Sequence, residues 1–198
     1  MTDLEKKTLH AAERDETVRQ AWREVAETLA ARRVTVFDES GMASAYARAP
    51  RGERANALGR RTTGKNMTLL AGITLEGMTV PFVVEGAVTT AVMETYLQQV
   101  LLPTLRAGDI LILDNLSVHH AASVSQLVTQ HGCRVLFLPP YSPDFSPIEN
   151  AFAKIKTVLR RLRAQLADLL DAIVQALDAI TPWDAIGYFP NAGFFNLD

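Results

Sequence analysis

The sequence predicts a mixed α/β domain built as a three-layer sandwich, a mixed central sheet flanked by helices. Three observations predict it. Short apolar runs at 34–37, 110–113 and 134–138 read as strands, and segments of helical spacing separate them. A hairpin signal, Glu76-Gly77, joins two further strand-like runs. The resulting order of strand, hairpin, helix, strand, helix, strand, helix suits a sheet covered on both faces.

Each element follows from its residues. Leu9, Val18, Trp22, Val25 and Leu29 are spaced through a polar stretch at 3–32, which reads as one or two helices. Val34-Thr35-Val36-Phe37 is a short strand expected to end at Asp38. The stretch 43–66 mixes Pro50, Gly52, Gly59 and Gly64 with arginines and reads as a loop. Met67–Thr74 and Met78–Glu85 are the hairpin strands, and Pro81 places the second at an edge or a bulge. From Thr89 to Leu102 the spacing is helical, with Pro103 as the stop. Asp109–Leu113 is continuously apolar after its first residue, as in a central strand buried on both faces, and ends at Asp114. A helix is expected over 119–131, closed by Gly132, then a strand at Arg134–Leu138. Ser146 opens a helix to about Arg163, and another covers about 165–180. The expected organisation is a helical lead-in (1–33), a catalytic domain (34–163), and a C-terminal helix with an aromatic tail packed on it (164–198).

Composition narrows the classes. Hydrophobic and charged fractions of 48% and 21% over 198 residues are those of a globular protein with a sizeable core. No run of eighteen apolar residues exists, so no membrane span is expected. No apolar stretch follows the charged N-terminus, so no secretory signal is read, and the single Cys133 cannot form an internal disulfide. A reduced, cytoplasmic setting is the expectation. The net charge of −2 hides a polarity along the chain: residues 164–198 carry five Asp and no Lys or Arg. Basic residues cluster at Arg48, Arg51, Arg54, Arg60, Arg61 and Lys65, and again at Lys154, Lys156, Arg160, Arg161 and Arg163. Such patches attract polyanions whatever the total charge.

Asp38 and Asp114 each follow an apolar strand, where open α/β sheets line their ligand crevice. Glu149 opens the helix after the next strand and can reach the same crevice. Three convergent carboxylates repel one another, and a divalent cation removes that cost. Oxygen-only ligands favour Mg²⁺, with Mn²⁺ as a substitute. Two such ions, roughly 3.5–4 Å apart, would stabilise the attacking and leaving oxygens of a phosphoryl transfer. Each acid also has a plainer reading. Asp38 could be a turn residue, with Glu39 as good a candidate. Asp114-Asn115 could cap a helix. Ser146-Pro147-Ile148-Glu149 is a capping-box pattern. Spacing leaves both readings open.

The segments Phe37-Asp38-Glu39-Ser40-Gly41, Asp114-Asn115-Leu116-Ser117-Val118-His119 and Leu138-Pro139-Pro140-Tyr141-Ser142-Pro143-Asp144-Phe145-Ser146-Pro147-Ile148-Glu149-Asn150 resemble the three signature blocks of mariner-superfamily transposases. The likeness is greatest to the bacterial insertion sequence six-thirty family. Thirty-four residues separate Asp114 from Glu149, the spacing typical of that superfamily's Asp-Asp-Glu triad. The resemblance spans about residues 34–163. It implies a ribonuclease H-like fold, Mg²⁺-dependent cutting at transposon ends, and joining of the freed 3′-hydroxyl to target DNA. It also implies that Asp38, Asp114 and Glu149 are the metal ligands, and that a homodimer works on DNA. Arg60, Arg61, Lys65, Lys154 and Lys156 are the expected DNA contacts, and Asn115 and His119 candidate auxiliary groups. Ser117, His120 and Phe145-Ser146 depart from the usual pattern without touching a carboxylate. Only about thirty residues precede Asp38, too few for a helix-turn-helix module and linker, so the chain alone is not expected to select transposon ends. An upstream-frame DNA-binding half could supply that selection. Competing readings are another ribonuclease H-like nuclease and a non-catalytic, DNA-binding or regulatory remnant of a transposase.

Overall fold

The chain turns helical where Asp15 can cap it. In the computed structural model, which describes residues 14–42, 67–162 and 169–198, helix α1 spans Glu16–Thr28. Asp15 Oδ1 accepts from the amides of Thr17 (2.8 Å) and Val18 (3.3 Å), satisfying N–H groups that the first turn leaves without partners. A 3₁₀ turn, Ala31–Arg33, leads into β1 (Val34–Gly41). The hairpin β2 (Met67–Thr74) and β3 (Gly77–Glu85) follows; Gly77 supplies the positive φ of its turn, 117°. Then come α2 (Thr90–Tyr96), β4 (Ile110–Leu113), α3 (Ala122–Gln130), β5 (Arg134–Phe137) and α4 (Pro147–Leu162). Helices α5 (Leu169–Asp178) and α6 (Pro182–Asn191) complete the order.

The five strands form one mixed sheet in the order β3-β2-β1-β4-β5. The hairpin pairs antiparallel onto β1, and β1, β4 and β5 run parallel. Side chains alternate between two apolar layers, as the pleat requires. Val34, Val36, Leu69, Ala71, Ile73, Ile110 and Ile112 pack with α1, α4, α5 and α6. Phe37, Leu70, Leu111 and Leu113 pack with α2 and α3 on the opposite face. This is the expected three-layer architecture.

Four departures have physical reasons. β1 does not stop at Asp38: it pairs with β2 through Asp38↔Ala71 to Gly41↔Thr68, so Asp38 lies inside a strand. The 89–102 helix is regular only to Tyr96, widening to a π turn (Leu97–Leu101) and tightening to 3₁₀ (Leu102–Thr104). The ring of Pro103 would collide with the Gln99 carbonyl in α geometry, and the widened turn absorbs that conflict. The helix expected from 119 starts at Ala122, because Ser117–His120 form a turn that seats the His119 ring. β5 ends at Phe137, one residue short of the expected Leu138. As expected, Gly132 closes α3 at φ 80°, and Pro81 lies on edge strand β3 beside a bulge, where Val80 and Pro81 together oppose Ala71. The tail, expected only as aromatic, also folds into α6, which a Thr181–Asp184 capping box opens. The loop expected over 43–66 lies outside the described residues.

The flanks join the same core. Trp22 and Ala26 of α1 and the capping Leu29 are buried in it, as are Phe189 and Phe194 near the C-terminus, whereas Trp183 and Phe195 are exposed. Among the described residues no helix is long and apolar enough to cross a membrane.

Candidate active site

The parallel pairing of β1 with β4 sets the site. Val36 pairs with Ile112, so two residues further on Asp38 stands level with Asp114, just past the end of β4. Alternation along β1 turns Asp38 to the side of Val34 and Val36, the side on which α4 packs, and Glu149 lies in the first turn of α4. The sheet therefore brings the three sequence-predicted carboxylates to one end and one face.

Burial makes this cluster electrostatically uncomfortable. Asp38 is 7% exposed, and among the described residues its carboxylate accepts one hydrogen bond, from the Glu39 amide to Oδ1, 2.7 Å. Burial, and then the charges of Asp114, Glu39 and Glu149, push its carboxyl up to about 8 against the one hydrogen bond. Asp114 behaves oppositely. Burial raises it, but the His119 ring and the Leu116 amide outweigh burial and hold it below the usual carboxylate range. Both of those bonds fall on Asp114 Oδ1, from His119 Nδ1 (2.6 Å) and Leu116 N (2.9 Å), leaving Oδ2 without one among the described residues.

His119 explains the asymmetry. Its ring is fully buried, edge-on to Phe37 at 5.7 Å between centroids. Nδ1 meets Asp114, and Nε2 lies 3.0 Å from Glu39 Oε2. Burial disfavours the charged ring, yet the two carboxylates win and push it up to about 9. Both nitrogens then donate, and the imidazolium sets a positive charge between the two carboxylates. Glu39, weighed in the sequence only as an alternative to Asp38, is thus the second anchor of His119. The signal was an acid beside Asp38, on the opposite face by alternation.

Asn115 serves the scaffold. Its Nδ2 donates to the Leu138 carbonyl, tying the end of β4 to the chain leaving β5. Its Oδ1 meets His120 Nε2 at 2.8 Å, and the His120 ring stacks on Phe137. Glu149 is exposed, and no three His, Cys, Asp or Glu side chains among the described residues lie close enough to share a metal ion. The donor set nevertheless fits a hard divalent cation: carboxylate oxygens, one of them buried and forced toward its neutral form, with free oxygens facing the same end of the sheet. Asp38 and Asp114 would hold such an ion, and Glu149, whose side chain is exposed, would complete the set by turning toward them.

The expected DNA contacts are distributed differently. Arg60, Arg61 and Lys65 lie outside the described residues, as do Arg48, Arg51, Arg54 and Arg163. Lys154 is engaged within the fold, its Nζ donating to both carboxylate oxygens of Asp184 at 2.7 Å. Lys156 is half-buried and forms no ion pair with a described residue. Tyr141 is 57% exposed, on left-handed backbone (φ 52°). Arg19 was not anticipated. It is buried on the same stripe of α1 as Trp22 and Ala26, and a charged residue at that spacing was the signal.

The family whose description is DDE superfamily endonuclease matches residues 33–171. Among solved structures the chain is similar to a pre-cleavage Mos1 transpososome, with TM-score 0.70, 16% identity and coverage of 98% of this chain and 64% of that one. It is similar to the Mos1 strand transfer complex at TM-score 0.70 and 18% identity, covering 98% and 63%. The catalytic domain of Mos1 mariner transposase gives TM-score 0.64 and 17% identity, covering 94% and 93%. At such identities the likeness is one of fold, and it makes this fold ribonuclease H-like. The chain spans less than two thirds of the Mos1 chains in the two complexes. No curated protein matches it in sequence.

Proposed function

The chain belongs to the DDE superfamily endonucleases, and on that footing we propose that it is the catalytic domain of a cut-and-paste DNA transposase, a metal-dependent endonuclease and strand transferase. The observation that carries this reading is the level placement of Asp38 and Asp114 at the end of the parallel strands, with Glu149 on the helix that packs on the same face.

In this reading Asp38, Asp114 and Glu149 hold two divalent cations, Mg²⁺ or Mn²⁺. Bound there, the ions would polarise the scissile phosphate and make water or a 3′-hydroxyl a competent nucleophile. His119 fixes the orientation of Asp114 by occupying Oδ1, which leaves Oδ2 for the ion. Glu39 fixes His119 from the other side. Asn115 locks the chain end from which Glu149 is reached. The pair Lys154 and Lys156, with Arg60, Arg61 and Lys65, would contact the phosphates of transposon ends and target, in a homodimer acting on cytoplasmic DNA.

Strand transfer tests the finer reading. Pre-cut duplex ends bearing a 3′-hydroxyl are incubated with supercoiled plasmid and Mn²⁺. Joined products are expected, and hydrolysis without joining would favour another nuclease of the ribonuclease H-like class.

A further inference from the structure

Glu149 follows a turn whose shape the local sequence does not secure. Pro139–Pro140 leads into Tyr141, a non-glycine residue at φ 52°, a conformation held only when its surroundings over-determine it. Ser142 Oγ donates to the Pro140 carbonyl (3.0 Å), and the amides of Phe145, Ser146 and Glu149 donate to the carbonyls of Ser142, Pro143 and Ser146 at 3.0, 3.0 and 3.2 Å. This ladder runs straight from the turn to the candidate metal ligand.

Arg19 of α1 grips the ladder from 123 and 125 residues away in sequence. Its Nη1 donates to Ser142 Oγ (2.5 Å) and Asp144 Oδ1 (3.1 Å), and Nη2 donates to Asp144 Oδ2 (2.6 Å). The guanidinium carbon lies 4.2 Å from the centre of the Phe145 ring. Its Nε is 3.3 Å from Glu16 Oε1, near enough for charge attraction but not aligned for a hydrogen bond. Arg19 is 1% exposed, and Ser142, Phe145 and Ser146 are buried with it. Apolar side chains in place of the whole Arg19–Asp144 pair would serve stability about as well, so the pair is weak evidence for a stabilising role. What a planar fork adds is direction, fixing two oxygens and a ring face at once.

We infer that Arg19 is a positioning residue for Glu149: the fork sets the turn 139–146, and the turn sets where α4 begins and hence where the carboxylate can reach. Arg19 touches no reacting atom. The inference rests on the proposed role of Glu149 for its catalytic consequence, but the mechanical link stands on the contacts alone.

The test compares wild type with Arg19→Met, which keeps the apolar stem over Phe145, Arg19→Lys, which keeps charge without the fork, and Ala26→Gly, which loosens α1 without touching the turn. Amide hydrogen exchange is read at Phe145, Ser146 and Glu149, and Mn²⁺ affinity by titration of the full chain beside Glu149→Gln. Arg19→Met should speed exchange at those three amides by roughly tenfold or more relative to the rest of α4. It should weaken Mn²⁺ binding by about 10- to 100-fold, the usual effect of removing an outer support of a metal ligand. Arg19→Lys should fall between, and Ala26→Gly should leave the three amides as protected as their neighbours. Unchanged exchange in Arg19→Met, or an equal rise in Ala26→Gly, overturns the inference. If Glu149→Gln binds Mn²⁺ as wild type does, the metal role of Glu149 fails instead, and the exchange pattern still decides whether Arg19 sets the turn.

Discussion

Asp38 and Asp114 stand side by side because Val36 and Ile112 are register partners, and each aspartate lies two residues further along its own chain. In a parallel pair, partners in register point to the same face, so Asp38 shares the face of Val36 and Ile112, and Asp114 follows just past the end of β4. A slip of one residue would send Asp38 to the opposite layer, among Phe37 and Leu70. The apolar alternation that builds the core therefore also places the chemistry.

His119 should be nearly as important as the acid it holds. Its two ring nitrogens meet Asp114 and Glu39, and its substitution takes the cation from between that carboxylate pair. His119→Gln can donate to one of them only. Metal-dependent nicking is expected to fall by about 10- to 100-fold with the fold retained by circular dichroism. In a double-mutant cycle with Glu39→Gln the losses should be far from additive, because both act through the same ring.

Phe152→Ala should be among the most destabilising changes. Phe152 is 1% exposed in the layer between α4 and the sheet, and truncation leaves a cavity. The expected loss is about 3–5 kcal/mol in denaturant unfolding.

How much of this was legible in the sequence depends on range. Continuous apolar runs such as Ile110–Leu113 and the glycine after α3 were readable because their causes are local. The three blocks singled out Asp38, Asp114 and Glu149 as candidates, and the sheet and α4 place them at one end. Asp38 was placed at a strand end because the apolar run stops at Phe37, whereas β1 continues on pairing with β2, which only the folded sheet supplies. The π turn before Pro103 reflects a collision relieved by widening rather than by stopping. Glu39 and Arg19 act through partners 80 and more than 120 residues away, and no local pattern pairs them.

The two lysines of α4 should not be equivalent toward DNA. Lys156 forms no ion pair with a described residue, whereas Lys154 must leave Asp184 before it can meet a phosphate. Lys156→Ala is expected to weaken binding across sequences and reduce the salt slope by about 1. Lys154→Ala should change the slope less. Binding isotherms at a series of salt concentrations check both.

Asp184 should make stability depend on pH at the acid end. Lys154, and then Thr181, hold its carboxyl down to about 2 from an ordinary 3.8. A group depressed on folding stabilises above its unfolded value, so the contribution is complete above about pH 4 and lost as pH falls through about 2. After allowance for screening at a partly exposed site, it is on the order of 1 kcal/mol. The difference in unfolding free energy between wild type and Asp184→Asn should shrink by that amount between pH 5 and pH 2.

The most direct test of the catalytic assignment is nicking of supercoiled plasmid in Mn²⁺ or Mg²⁺, wild type beside Asp114→Asn. The account predicts metal-dependent nicking by wild type and a loss of orders of magnitude in the variant, which keeps the shape of Asp114 but gives up its charge. Equal nicking by both proteins would contradict it.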